Sequence, residues 1–309
     1  MQRVTKELGL GSLALAGTAF FWSLAGLFIK LVDWNPFAIA ASRSVVAALF
    51  LWATVRRPHF TFSLPQIGAA VASALTMLMF VYANKHTSSA NAILLQYGAP
   101  IYTAILASLL VKERPRAEHI VGFAAIALGM ALFFVDEIGG GSLVGDLVAV
   151  GSGVSFAFYF VFMRMQKEGS PQESNILAHI ITALTAGSIA LFLPPPVVTG
   201  GAIAAILGLG VVQIGMASVL FAWGIKRVPA MEGILIAGLE PIFNPLWVFL
   251  ALGERPGRNA LIGGAIILAA VLGSSVVSAR RDAAAVRSAS RPVPTDAAQA
   301  GSAAASPRA

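Results

Sequence analysis

An all-α integral membrane protein, with ten transmembrane helices in two inverted five-helix repeats and both termini inside, is the fold the sequence predicts. Three observations predict it. Of 309 residues, 57% are hydrophobic and 11% charged, with a mean hydropathy of +0.81, so a water-soluble domain would lack polar surface to cover its core. Apolar runs of about 20 residues, the length a helix needs to cross roughly 30 Å of hydrocarbon, recur along nearly the whole chain. The basic residues then sort between the loops in a way that sets orientation.

In order, the spans are 8–30, 36–55, 65–84, 89–111, 118–135, 143–165, 175–193, 202–225, 230–252 and 258–279. The first follows Arg3 and Lys6 as a signal peptide would, but it is longer than a typical signal core and nine spans follow it, so it is expected to be retained. The fourth span carries Pro100 and the ninth carries Pro241 and Pro245. After the tenth, the sequence turns to Ala, Ser, Pro and Arg without an aromatic residue, and a disordered cytoplasmic tail is expected over 280–309.

With the N-terminus inside, eleven basic residues fall on the cytoplasmic loops (Arg3, Lys6, Arg56, Arg57, Lys112, Arg114, Arg116, Arg164, Lys167, Lys226, Arg227) against four outside (Lys30, Lys85, Arg255, Arg258). That positive-inside bias gives N-in and, for an even number of spans, C-in. The net charge of +7 therefore reports topology; membrane lipid and a small-molecule substrate are the expected partners, and no nucleic acid is expected. There is no cysteine, which excludes disulfides and thiolate chemistry. No phosphate-binding G-x-x-x-x-G-K-[ST] loop is present, and His59, His86, His119 and His179 do not cluster with carboxylates. Neither an enzyme nor a cofactor is expected.

Sliding the chain by 141 residues lays Lys85 on Lys226, Pro100 on Pro241, Glu113-Arg114-Pro115 on Glu254-Arg255-Pro256 and Gly122 on Gly263. An offset of 134 lays Gly11 on Gly145, Trp22 on Phe156 and Lys30 on Arg164. The repeats are 8–136 and 143–279, five spans each, and because five is odd the second lies inverted. Inverted repeats are the build of secondary transporters, with the substrate near the midplane and access alternating as one half rocks against the other. A channel remains the alternative, although no ring of charge or carbonyl-rich filter is visible.

The segments "ALAGTAFFWSLAGLFIK" from Ala14, "GDLVAVGSGVSFAFYFVFMRM" from Gly145 and "GLEPIFNPLWVFLALGERP" from Gly238 resemble the two EamA repeats of the drug/metabolite transporter superfamily. Within that family the sequence is most similar to YddG-type bacterial exporters of aromatic and other amino acids. The resemblance implies a ten-helix fold, the bacterial inner membrane and metabolite export, with a broad-specificity drug/metabolite exporter as the alternative.

Glu240 is the acid placed well inside a span. At mid-depth an unpaired carboxylate costs several kcal/mol, on the order of 3, so Glu240 either binds a substrate ammonium, exchanges a coupling proton, or pairs structurally with Arg43 or Asn244. On a helix Ala237, Glu240, Pro241 and Asn244 share one face, and the matching face of the fourth span holds Gln96, Ala99, Pro100 and Thr103. Pro100, Pro241 and Pro245 are hinge candidates, because proline frees a backbone carbonyl that lipid cannot satisfy. Trp22, Ser23, Tyr82, Asn91, Tyr97, Tyr102, Tyr159, Gln213 and Trp223 complete the expected cavity lining. Such a lining suits an amphipathic solute of amino-acid size. Glu113 is expected to pair locally and Asp146 to cap its helix.

Overall fold

A computed structural model describes residues 2–87, 92, 95–133, 135, 142–169, 171–243, 247, 250 and 258–289. Every regular element among them is helical. The first half contributes α1 (Gln2–Ser23), α2 (Ala25–Lys30), α3 (Pro36–Val55), α4 (Leu64–His86), α5 (Ala99–Leu110) and α6 (Ala117–Phe133). The second contributes α7 (Leu143–Met165), α8 (Pro171–Ala190), α9 (Gly200–Leu207), a π-helix (Gly208–Met216), α10 (Ala217–Ile225), α11 (Ala230–Ala237) and α12 (Arg258–Ala289).

Among the described residues six helical stretches are long and apolar enough to cross a membrane: Glu7–Ile29, Pro36–Val55, Leu64–Ala83, Leu143–Met165, Gly200–Ile225 and Leu261–Ser278. Ala99–Leu110 and Ala117–Leu132 are shorter apolar helices. α8, at the seventh expected span, opens on Gln172, Glu173, Ser174 and Asn175 and is not among the six. The expected bounds 36–55 and 143–165 coincide with α3 and α7 because both ends are marked in the sequence. Asn35 caps α3 by accepting the Ala38 N–H at 2.8 Å, with Pro36 at the first position, and Ser142 caps α7 by accepting the Gly145 N–H at 3.1 Å. Ser142, not Asp146, is thus the cap, and Asp146 accepts from the Thr87 hydroxyl at 2.6 Å.

α12 departs from expectation. It continues to Ala289, so the first residues of the supposed disordered tail are helical; their alanines and arginines are strong helix formers, and Arg281 is pinned to Glu118 at 2.7 Å. The rest of the tail lies outside the described residues.

The halves interleave. α4 packs along α7, α3 along α8, α6 along α12 and α1 along α10, each pair joining one half to the other. Small residues permit these crossings: a Cβ at Gly129 would lie 2.8 Å from the Gly263 carbonyl, and one at Gly224 2.9 Å from the Gly11 carbonyl.

Individual contacts occur twice with their partners exchanged. The Ser152 hydroxyl donates to the Thr76 carbonyl at 3.0 Å, and Thr18 Oγ1 lies 3.4 Å from the Ala217 carbonyl. Gly145 crosses closely at His86 and Gly11 at Arg227. Tyr82 stacks on His86 with centroids 3.9 Å apart, while the Arg227 guanidinium sits 3.6 Å over the Trp223 ring. In the first two pairs the first-helix residues differ by 134 and the third-helix residues by 141, the two offsets of the sequence repeat; in the last, each contact lies within one half and both residues differ by 141.

Candidate functional site

Two helix breaks define the site. α5 begins after a turn at Tyr97 and Gly98, with Pro100 as its second residue. α11 ends in a turn at Gly238 and Leu239, tightened by Gly238 N–H to Leu235 at 3.0 Å and Leu239 N–H to Ile236 at 3.1 Å, before helical backbone resumes over 240–243. The breaks coincide under the 141-residue offset. Pro100 and Pro241 have no N–H, so the carbonyls four residues earlier, Gln96 and Ala237, lose their helical donors.

Both carbonyls face the opposite half. The Gln96 carbonyl abuts Gly153 of α7, where a Cβ would lie 2.7 Å from it. The Ala237 carbonyl is 3.4 Å from the Tyr97 hydroxyl, which is also 3.2 Å from Glu240 Oε2. Glu240 therefore pairs with Tyr97 and not with Arg43, a correction to one of its expected pairings: Tyr97, in the break of the first half, reaches across to the break in the second. A tyrosine hydroxyl carries one proton. It donates to Glu240 or to the Ala237 carbonyl, one at a time.

Around this contact lies one contiguous apolar cluster that includes Trp22, Tyr97, Phe156, Tyr159 and Phe221. Trp22 and Phe156, equivalent in the repeat, meet with centroids 5.9 Å apart. Phe221 stacks on Tyr159 at 5.0 Å and tilts against Trp22 at 5.5 Å. Tyr159 donates to Asn175 Oδ1 at 2.7 Å and Asn175 in turn to the Ser218 carbonyl at 3.3 Å, while Gln213 separately donates to the Trp22 carbonyl at 3.3 Å. Gln96 donates to Ser152 Oγ at 2.8 Å, and Ser23 accepts from the Trp247 indole at 2.8 Å. Thr103 is fully buried with its hydroxyl unpartnered, and Tyr102 sits beside Gly98 at the first break.

The structure thus gathers Trp22, Gln96, Tyr97, Tyr159, Gln213 and Glu240, with Ser23, Tyr102 and Thr103 at their margins. Tyr82 and Trp223 are not with them: both are exposed and carry His86 and Arg227 against their rings. Their phenol and indole rings suit an apolar surface with one polar edge as well as they suit a cavity, so residue type alone does not separate the two. Asn91, Asn244 and Pro245 lie outside the described residues. Phe156, Ser152, Asn175 and Phe221 line the site without having been expected to. The match of Trp22 to Phe156 was the signal for one of them.

Glu113 also corrects an expectation, since its partner is distant in sequence. Arg164 Nε donates to Glu113 Oε1 at 2.9 Å, the Ala230 N–H donates to Oε2 at 2.9 Å, and Arg164 Nη1 reaches the Ile225 and Lys226 carbonyls at 3.1 and 2.8 Å. One carboxylate fastens the end of α5 to the end of α7 and the start of α11.

Apolar helices packed between two halves, with broken helices meeting at an interior polar contact, have the build of a membrane transporter. The chain belongs to the EamA-like transporter family, whose profile matches residues 9–135 and again 143–276. It is 30% identical to an uncharacterized transporter of Archaeoglobus fulgidus over 85% of this chain and 95% of that one. It is 27% identical to the uncharacterized transporter YwfM of Bacillus subtilis over 87% and 93% of the two chains, and 26% identical to human solute carrier family 35 member G1 over 59% and 55%. A solved crystal structure aligns with a TM-score of 0.74 at 21% identity, covering 88% of this chain and 98% of that one, which shows the fold. The chain is a multi-pass membrane protein that moves small molecules.

Proposed function

We propose that this transporter exports small amphipathic metabolites, aromatic and other neutral amino acids above all, across the bacterial inner membrane by alternating access. Ten spans in two inverted repeats, N-in and C-in, form the scaffold. Contacts that recur with partners exchanged between halves support it, as does the twofold match of the family profile. The observation that carries the reading is the meeting of the two proline breaks at Tyr97, Ala237 and Glu240. A hydrogen bond made across the halves at the hinges is one that rocking must remake, and Glu240 couples it to a proton. The surrounding aromatic faces and uncharged hydrogen-bonding groups suit a solute with an apolar side chain.

The test is counterflow of radiolabelled L-phenylalanine in proteoliposomes. The expected result is saturable uptake, accelerated by unlabelled phenylalanine trapped inside and competed by methionine. Uptake that is linear in concentration and indifferent to trapped solute identifies a channel, and the absence of any amino-acid flux removes the substrate assignment.

A further inference from the structure

Arg43 is a charge the site above does not use. It stands two turns into α3, half-buried, at a depth where an ionised group is normally paired. The ion pairs among the described residues engage Arg116, Arg164, Arg227 and Arg281, none reaches Arg43, and its buried Nε has no hydrogen-bond partner. The architecture does not require a cation there. Counted from Pro171 as Arg43 is from Pro36, the corresponding residue of the second half is Ala178.

Two more buried polar atoms nearby are unpartnered, His179 Nδ1 and Gln213 Oε1, on residues 2% and 6% exposed. Helix register brings the three residues to similar depth. α3 and α8 run antiparallel, with Ala41 beside Gly187 and Thr54 bonded to Gln172, which places His179 about 7 Å along the axis from Arg43, within reach of a long side chain. Asn175 bonds the Ser218 carbonyl, so one turn further His179 comes level with Gln213 and Ile214. The π-helix packs on α3 at Arg43 itself, where a Cβ on Gly210 would lie 2.9 Å from the Arg43 carbonyl. π-helical stretches are rare and frequently lie at functional sites, and this one sets Gln213 against Trp22.

We infer that Arg43, with His179 and Gln213, forms a binding site for the carboxylate of the transported solute. The guanidinium donates in a fork to the carboxylate oxygens, a geometry that lysine does not reproduce, and an imidazole N–H adds a donor. Gln213 Oε1 accepts from a donor beside the carboxylate, as the ammonium of an amino acid supplies, leaving Glu240 to the proton. The identity of the solute rests on the amino-acid reading; the anion site rests on an unpaired interior cation.

Calorimetric titration of the purified full-length protein separates the two. The probes are L-phenylalanine, L-phenylalaninamide, which lacks the carboxylate, and phenylacetate, which has little else polar. Wild type should bind the two carboxylates about 10- to 100-fold more tightly than the amide. Arg43→Gln should lose that preference while holding the amide as wild type does, which also reports an intact fold, and Arg43→Lys should fall between. Phenylacetate binding without phenylalanine binding overturns the amino-acid reading and leaves the anion site standing. Wild-type affinity for phenylacetate in Arg43→Gln and Arg43→Lys, or no carboxylate binding to wild type, overturns the anion site.

Discussion

Glu240→Gln is expected to abolish the response of amino-acid flux to a pH gradient while leaving exchange of labelled for unlabelled solute in place. In wild type an ionised Glu240 takes the Tyr97 proton at Oε2, 3.2 Å away. When Glu240 is protonated it donates to the tyrosine oxygen instead, and the Tyr97 proton turns to the Ala237 carbonyl at 3.4 Å, the one Pro241 leaves without a helical donor. A proton on the carboxyl is thereby converted into a hydrogen bond at the hinge. The amide of the variant neither gains nor loses a proton, so a pH gradient has no group there with which to switch between the two arrangements. Gradient-driven flux should fall about tenfold or more, the equivalent of one charge-assisted hydrogen bond, in Glu240→Gln and similarly in Tyr97→Phe, as read by radiolabelled flux in proteoliposomes. A gradient response retained by both variants places the coupling proton elsewhere.

The largest effect on stability is expected at Glu113. Its two oxygens hold Arg164 and the first N–H of α11, each at 2.9 Å, in a largely buried setting. Glu113→Ala leaves Arg164 without its counter-charge and α11 without its acceptor, at a cost on the order of 3 kcal/mol. Arg164 keeps the Ile225 and Lys226 carbonyls, which moderates the loss. Thermal unfolding in detergent should show a midpoint lower by about 5 °C or more, and Glu113→Gln, which preserves an oxygen for Ala230, should recover roughly half of it. An unchanged midpoint in Glu113→Ala would mean the clamp holds nothing.

How much of this was legible follows from what hydropathy encodes. Apolar length and caps place α3 and α7 to the residue, since Asn35-Pro36 and Ser142 punctuate them. The 134 and 141 offsets align residues such as Thr18 with Ser152 and Tyr82 with Trp223, whose contacts then recur in pairs. Proline marks where α5 begins and α11 ends. Hydropathy reports how deep a residue lies and says little about its neighbours, so the bond from Tyr97 to Glu240, which joins residues 143 apart, could not be read from either helix alone. The same limit turned Arg43 into a supposed partner of Glu240 and placed Tyr82 and Trp223 in the cavity. The π-helix left no signal, because its composition matches that of the helices flanking it.

Alternating access is tested most directly by accessibility at the break. The chain has no cysteine, so Gln96→Cys supplies the single thiol one turn before Pro100. With a membrane-impermeant thiol reagent applied to vesicles of defined orientation, labelling is expected from either face. Saturating L-phenylalanine should raise the rate from one face and lower it from the other. Labelling confined to one face whatever the solute, or rates that rise and fall together on both, would contradict a site opened to the two sides in turn.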